Sequence, residues 1–175
     1  MMALMRIRLN RRQWLAAVAP ATAVRSAQAS PAAVAVLHDA GSTVSVLDGA
    51  TLDAQRRLAL PLPMSNWLAP GLLGDERGQV LMLQPAFDGL RAQARFGSGR
   101  CRAARSADGR WLLLLPAEGD RLLLLDAGLQ VLRTWPLQGS LAWMADAPHR
   151  RALVVALASP PQLWLISYDE RAEDF

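Results

Sequence analysis

Short apolar runs separated by turn-forming residues recur along the chain beyond residue 30. Residues 33–37 and 43–47 form one pair of runs, residues 111–115 and 121–125 a second, and residues 152–157 and 162–168 a third. A cluster rich in Gly, Pro, Asp or Ser separates the two members of each pair, and an Asp follows the second run. Runs this short, bounded by turn residues, are typical of β-strands rather than helices. The pattern therefore predicts repeated strand–turn–strand units.

A further strand-like segment follows two of these units, over residues 55–62 and 130–137. Each segment ends at proline, which cannot donate to a strand ladder and therefore stops the strand. A weaker copy of the unit covers residues 79–96 and lacks one apolar run. The marker residues Asp48, Asp88, Asp126 and Asp169 are separated by 40, 38 and 43 residues. This period matches a four-stranded propeller blade. We therefore predict an all-β fold of β-propeller blades, mostly of four antiparallel strands, with almost no helix after residue 30.

About four blades fit into residues 30–175, which is fewer than an ordinary ring contains. Ring closure protects the sheet edges of a propeller, so an open half-ring exposes edges and apolar faces. Three arrangements remain open: the chain continues in a longer reading frame, two chains complete one ring, or four blades close alone. We expect a partial propeller whose missing blades come from the rest of the frame or from a second chain.

The first 29 residues have the organisation of a cleavable signal peptide. A basic region precedes a short apolar stretch over residues 14–24, and Ala27 and Ala29 supply the small residues that a signal peptidase requires. The mature chain would then begin at Ser30. The apolar stretch is too short to cross a bilayer as a helix, and we expect no transmembrane span in the mature chain.

Arg11 and Arg12 stand side by side just before the apolar stretch of this leader. With Gln13 and two large apolar residues after them, they resemble the twin-arginine export signal, whereas an ordinary secretory signal that contains an Arg pair is the alternative. Either route predicts a periplasmic, exported protein.

Charge and residue type restrict the possible partners and sites. The formal net charge is +4, but five of the 19 basic residues lie in residues 1–29, which leaves 14 basic against 15 acidic residues in the remainder. A chain so close to neutral predicts no nucleic-acid partner. Cys101 is the only cysteine, so neither an internal disulfide nor a multi-cysteine metal site can form. His38 and His149 fall in separate predicted turns, and we expect surface residues there rather than metal ligands.

Two segments carry a resemblance to known propellers. Residues 106–111, Ser-Ala-Asp-Gly-Arg-Trp, resemble the turn that opens each unit of YVTN-type β-propeller repeats, and residues 75–78 and 147–151 are placed in the same position of their units. Residues 101–112 and 162–169 more particularly resemble the d1-haem domain of cytochrome cd1 nitrite reductases and the related propellers of d1-haem biosynthesis. The resemblance covers about half of such a domain and implies haem d1 or another tetrapyrrole as cofactor.

The same resemblance implies cofactor-binding residues. In that family a His shortly before the matching turn ligates the iron, and Cys101 stands at that position here; a thiolate can also ligate haem iron. The alternative is a small buried cysteine that binds nothing. Arg100, Arg102 and Arg105 would face the central channel. Arg100 and Arg102 would bind carboxylates of the cofactor through their planar guanidinium groups, or else belong to a solvated blade face. For Arg105 we expect the solvated face. Trp111 and Trp164 are expected to pack between blades.

Two functions remain open from the sequence. The first is a periplasmic propeller resembling the d1-haem domain, which binds a tetrapyrrole or acts in d1-haem supply for denitrification. The second is a non-enzymatic YVTN-type scaffold that binds a protein or a component of the cell envelope. The sequence contains no phosphate loop, nucleophile elbow or dinucleotide fingerprint, and we assign no catalytic residue.

Overall fold

The computed structural model describes residues 3–8 and 33–168. This part of the chain forms fifteen strands in four sheets, and its one helical segment is a 3₁₀ turn over Pro148–Arg150. No helix within it is long and apolar enough to cross a membrane. The strands are β1 (Ala3–Arg8), β2 (Val34–His38), β3 (Thr43–Leu47), β4 (Ala54–Ala59), β5 (Asn66–Ala69), β6 (Leu72–Gly74), β7 (Gln79–Leu83), β8 (Leu90–Arg95), β9 (Arg102–Arg105), β10 (Trp111–Leu115), β11 (Arg121–Asp126), β12 (Val131–Pro136), β13 (Ser140–Ala147), β14 (Ala152–Ser159) and β15 (Pro161–Ser167).

The four sheets are propeller blades that follow one another along the chain. Blade 1 contains β2–β4, blade 2 contains β5–β8, blade 3 contains β9–β12, and blade 4 contains β13–β15 with β1 at its outer edge. Strands β5 and β13 lie on either side of β9 and contact it, so the first strand of each of these blades is the inner one. The all-β fold of about four blades, with almost no helix, is confirmed.

One strand pair departs from the predicted antiparallel blades. Strand β1 pairs with β15 in parallel, from Ala3 opposite Gln162 to Arg8 opposite Ser167. This strand belongs to the segment for which we predict a leader. The remainder of that leader, including Arg11, Arg12, Ala27 and Ala29, lies outside the described residues, and the export signal stays a prediction.

The repeat predicted from the apolar runs corresponds to the second and third strands of a blade. Strands β10 and β14 are the second strands of their blades, and β11 and β15 are the third. The described part of blade 1 has no counterpart of β9 or β13, so its β2 and β3 correspond to a second and a third strand. Asp48 and Asp126 occupy equivalent turns after the third strand. In both turns the carboxylate accepts a hydrogen bond, 2.8 Å long, from the backbone N–H two residues further on. Asp169 lies outside the described residues.

For blade 2, the prediction of which segment forms which strand is wrong by one strand. The apolar run that this unit was expected to lack is β6, a strand of only three residues, all of them buried. Strand β7 is consequently the third strand, and residues 75–78 lie between the second and third strands rather than between the first and second. The backbone position equivalent to Asp48 is Gln84, whose N–H donates to Gly89 O, so Asp88 does not mark the repeat.

Apolar side chains on both faces of the middle strands bind neighbouring blades together. Successive residues of a strand point to opposite faces, and in β10 Leu112 and Leu114 pack towards blade 2 while Leu113 and Leu115 pack towards blade 4. Strand β11 follows the same rule. Trp111 and Trp164 are buried in the core between blades 3 and 4, which confirms their predicted packing role.

Hydrogen bonds to the carboxylate of Asp146 also join blades 3 and 4. Asp146, near the end of inner strand β13, accepts a 2.8 Å hydrogen bond from the backbone N–H of Ala107 in the β9–β10 turn. Its other carboxylate oxygen accepts a 2.9 Å bond from the hydroxyl of Tyr168. Burial, and then the hydrogen bond to Asp146, raise the pKa of Tyr168 to about 12. One carboxylate therefore fixes the inner strand, a turn of the neighbouring blade and the segment after β15.

Replacing either of two adjacent leucines in β10 should destabilise the fold to a similar extent. Because Leu112 and Leu113 are buried on opposite faces of one strand, Leu112→Ala and Leu113→Ala should each lower the free energy of unfolding by about 2–5 kcal/mol. Leu52, which is 62% exposed, provides the matched control, and Leu52→Ala should change it by less than about 0.5 kcal/mol. Urea denaturation measures all three, and a large loss for only one of the β10 variants would contradict a sheet buried on both faces.

Tyr168 is the only tyrosine, so the ultraviolet absorbance of its phenolate can be titrated directly. We expect a midpoint near pH 12 in the folded chain and about pH 10 in denaturant. Asp146→Asn should lower the folded midpoint only partly, because burial is the larger cause; Asp53→Asn, in an exposed turn, should leave it unchanged.

The same pKa difference makes stability depend on pH. Between about pH 10 and pH 12 the unfolded chain loses the phenol proton while the folded chain keeps it. The free energy of unfolding should therefore fall as the pH rises through this interval, and this group should contribute no pH dependence below it. A folded midpoint near pH 10 would show that Tyr168 is not held as described.

Candidate functional site on the axial surface

The inner strands β5, β9 and β13 border two openings on the surface that faces the propeller axis. A large axial groove of about 810 Å³ lies where these strands end, and Arg105, Met144 and Asp146 are among its lining residues. A small axial cavity of about 270 Å³ lies where β5 and β9 begin. Arg100, Cys101 and Arg102 all line the small cavity, so the structure brings together the three residues for which a cofactor role is predicted.

Arg102 lies on the inner strand as expected and holds the neighbouring blade. Its two terminal nitrogens donate to the carbonyl oxygens of Leu141 (3.1 Å) and Ala142 (3.2 Å). At this point the register of β13 with β14 shifts on both sides of Leu141, which is a β-bulge. A bulge leaves backbone groups outside the regular ladder, and the guanidinium of Arg102 satisfies the carbonyls there. Arg102 therefore has an intramolecular structural role.

Arg100 pairs with a carboxylate of blade 2. Its Nε and one terminal nitrogen donate to Glu76 Oε1 at 3.1 and 2.6 Å. Both side chains are more than half exposed, so water and salt screen the pair and it contributes little to stability. The arginine can exchange this partner for another carboxylate at small cost, which leaves a ligand role open for it.

Cys101 is a buried thiol in the core between blades 2 and 3. It packs with Leu72 and Leu112, and its Sγ lies 3.4 Å from the carbonyl oxygen of Phe96. Burial, with smaller contributions from the charges of Glu118 and Asp75, raises its pKa to about 11. Iron binds the thiolate, and this environment favours the protonated thiol. The geometry offers no support for Cys101 as an iron ligand.

Arg105 is the cation of the large axial groove, rather than a residue of a solvated blade face as predicted. One terminal nitrogen donates to Pro70 O of blade 2 at 2.7 Å and the other to Gly109 O at 3.2 Å, while Nε is buried without a hydrogen-bond partner. Burial, and then the charge of Arg91, lower its pKa. A buried N–H without an acceptor is costly and rare in folded proteins. Arg105 is therefore the side chain of this surface best suited to receive a further acceptor.

Sequence reasoning did not identify Met144 and Asp146 as lining residues, because strand β13 was not predicted. Strand β13 is partly exposed and contains no long apolar run. A signal was available in the spacing: β13 precedes the 147–151 turn as β9 precedes the 106–110 turn.

The two histidines occupy different environments. His149 is exposed in the 3₁₀ turn, as predicted for a surface residue. His38 is not a free turn residue: it is the last residue of β2, partly buried, and hydrogen-bonded to Ser45. Within residues 3–8 and 33–168, no three His, Cys, Asp or Glu side chains lie together in a way that could hold a metal ion.

No protein-family model and no curated protein sequence matches this chain. Solved structures do match it in fold. The dihydro-haem d1 dehydrogenase NirN, solved in complex with DHE, superimposes with a TM-score of 0.63 at 23% identity, over 87% of this chain and 35% of that protein.

Two further propellers are similar at lower identity. The β-propeller domain of Cps50 (Swd1) from Myceliophteria thermophila matches with a TM-score of 0.52 at 12% identity, over 71% of this chain and 48% of its own. BamB from Moraxella catarrhalis matches with a TM-score of 0.53 at 15% identity, over 75% of this chain and 41% of its own. The chain therefore spans between a third and a half of the propellers it resembles, and it has the fold of part of a β-propeller.

Proposed function

We propose that this chain binds a flat, carboxylate-bearing tetrapyrrole of the d1-haem type in its large axial groove, and that it acts in the supply of this cofactor for denitrification. The buried, unpartnered Nε–H of Arg105 at the groove is the observation that carries the proposal. The fold similarity to NirN, a dihydro-haem d1 dehydrogenase, supports the class of ligand.

The groove has the size that such a ligand needs, and its lining combines apolar surface with one cation and the two carboxylates of Asp108 and Asp146, which accept hydrogen bonds within the chain. Its volume of about 810 Å³ lies within the range of small-molecule and cofactor sites, which combine apolar walls with a few placed polar groups. Pro85, Phe87 and Met144 provide apolar surface, and Arg105 provides the cation. A movement of Arg105 away from Pro70 O or Gly109 O would allow its planar group to bind a carboxylate through two hydrogen bonds.

The residues present fit the carboxylates of the ligand better than its iron. Cys101 lines the small axial cavity rather than the large groove, and its thiol is held protonated. An iron tetrapyrrole would supply redox chemistry when bound; Arg105 would hold a carboxylate of it, and Pro85, Phe87 and Met144 would contact its apolar surface. We infer no iron ligand from the groove.

A protein-binding scaffold is the second candidate function. Arg102 is engaged by backbone carbonyls, whereas Trp143 on the adjacent inner strand is 52% exposed. An exposed tryptophan is a common anchor in protein interfaces. In this case the exposed surface would be covered by the missing blades, which come from a longer reading frame or from a second chain. A component of the cell envelope could cover it instead.

Absorption spectroscopy of the purified chain distinguishes the two functions. Addition of haem b or haem d1 should shift the Soret band of the pigment if the groove binds it. Arg105→Ala should weaken binding by about 10- to 100-fold, the effect of losing one hydrogen bond to a charged group. Arg121→Ala, an arginine at the start of β11 outside the groove, is the control and should leave binding unchanged.

Cys101→Ala should bind the pigment with the wild-type spectrum, because the cysteine lies outside the groove. A changed spectrum in this variant would instead assign the iron ligand to Cys101. Absence of any Soret shift in the wild-type chain would remove the tetrapyrrole proposal and leave the scaffold.

We also propose that the protein is exported to the periplasm by its first 29 residues. The adjacent Arg11 and Arg12 and the small residues Ala27 and Ala29 support this proposal. Expression of the full chain in a bacterium should yield a periplasmic product whose N-terminal residue is Ser30, so that blade 4 of this product contains β13–β15 without β1. Arg11→Lys with Arg12→Lys should retain the protein in the cytoplasm if the twin-arginine route is used. A product that keeps residue 1 and remains in the cytoplasm would overturn the proposal.

A further inference from the structure

A second arginine lies beside the large axial groove, outside its lining. Arg91 is an exposed residue of β8, the outer strand of blade 2. The connection between β7 and β8, which directly precedes this strand, contributes Gln84, Pro85 and Phe87 to the lining of the groove. The end of blade 2 that borders the groove therefore has a cation at its rim.

A β-bulge determines the position of Arg91 on its strand. Met82 pairs with Ala92, whereas the next residue of β7, Leu83, pairs with Leu90, so that Arg91 is the extra residue between the two pairs. A bulge leaves such a residue outside the strand ladder and re-aims its side chain. The side chain of Arg91 is therefore released from the regular alternation of β8.

The bulge places Arg91 next to the part of the groove that Arg105 occupies. The terminal nitrogen of Arg105 that binds Pro70 O lies 3.0 Å from the point where a Cβ on Gly71 would stand. Gly71 O in turn accepts a 2.8 Å hydrogen bond from the N–H of Leu83, the residue opposite the bulge. Burial, and then the charge of Arg91, lower the pKa of Arg105, as expected for two cations that lie close together.

No carboxylate in the described part of the chain forms an ion pair with either arginine. The two acids of the groove are engaged elsewhere. Asp108 accepts a 2.6 Å hydrogen bond from a serine hydroxyl in its own turn, and Asp146 accepts from the backbone of that turn and from Tyr168. The charge of Asp108 is the smallest of the three influences on the pKa of Arg105. Two neighbouring cations without a paired anion repel each other, and a ligand with two negative charges relieves this repulsion.

We propose that Arg105 and Arg91 together recognise two carboxylates that lie side by side on one edge of the tetrapyrrole. This inference rests on the proposed function, and it narrows the ligand from a flat pigment with carboxylates to one in which two carboxylates are neighbours. The unpartnered Nε–H of Arg105 receives the carboxylate inside the groove, and Arg91 receives the one at the rim. Arg91 is then the residue that determines specificity for the substitution pattern of the ring.

Two metal-free porphyrins of equal charge test this pairing. Coproporphyrin III and coproporphyrin I each carry four propionates, but only in isomer III do two of them flank the same methine bridge. Titration of the porphyrin fluorescence with the chain gives a dissociation constant for each isomer. We expect isomer III to bind about 10- to 100-fold more tightly, the effect of one further hydrogen bond between charged groups.

Substitution of the rim arginine should remove the preference between the isomers. Arg91→Ala should weaken the binding of isomer III to the level of isomer I and leave isomer I unchanged, because isomer I has no second propionate beside the first. Arg105→Ala should weaken the binding of both isomers. Arg77→Ala is the matched control, since Arg77 is an exposed arginine of the same blade, in the turn at the opposite end of β7, and it should change neither constant.

The outcomes separate this inference from the proposed function. Equal binding of the two isomers by the wild-type chain would overturn the pairing, and so would an undiminished preference in Arg91→Ala. In either case, weaker binding by Arg105→Ala would still support the groove as a tetrapyrrole site. If the wild-type chain binds neither isomer, the inference and the proposed function both fail. The comparison of the two isomers needs only the wild-type chain, so it decides the question even if a variant does not fold.

Discussion

The structure depends on the stacking of sheets whose middle strands are apolar on both faces. Within a blade, neighbouring strands satisfy the backbone polar groups of the middle strands, so these strands join one blade to the next through their side chains. The four leucines Leu112–Leu115 of β10 serve the cores on both sides of blade 3, two for each side. Because a strand with one solvated face could not do this, the runs of consecutive apolar residues are a consequence of the blade arrangement.

The inner strands are held by different interactions. They are short and partly exposed, and side chains that reach across to the neighbouring blade compensate for their small apolar area. Arg102 holds the bulge of β13, Arg105 reaches Pro70 of blade 2, and Asp146 accepts from the turn of blade 3. The polar groups that face the axis are therefore structural first, and a ligand there must compete with carbonyl oxygens that are already in place. Arg105 is the position where this competition is least severe, since one of its donors has no acceptor.

These two kinds of interaction explain what could be predicted from the sequence. The second and third strands of blades 1, 3 and 4 were predictable because consecutive apolar residues and turn clusters are local signals. Strand β6 was not, because three residues are too few to form a pattern, and the unit was assigned the wrong register for that reason. The placement of Arg100 and Arg102 beside Cys101 at the axis was also predictable. The partners of the two arginines were not, since Glu76 and the carbonyls of β13 are 24 to 40 residues away along the chain.

The contrast between blade 1 and blade 3 also shows how a polar side chain is tolerated on a blade face. On the face of blade 1 that points away from blade 2, Ser45 pairs with Val36 as Leu123 pairs with Leu114 in blade 3. Interior blade faces permit no polar group without a partner, because burial without a hydrogen bond is costly. The far face of blade 1 meets this condition locally: the hydroxyl of Ser45 is only 7% exposed and has the imidazole of His38 as its partner. The imidazole in turn has Asp39. Each group is satisfied by the next, and a serine at a leucine position is tolerated for that reason.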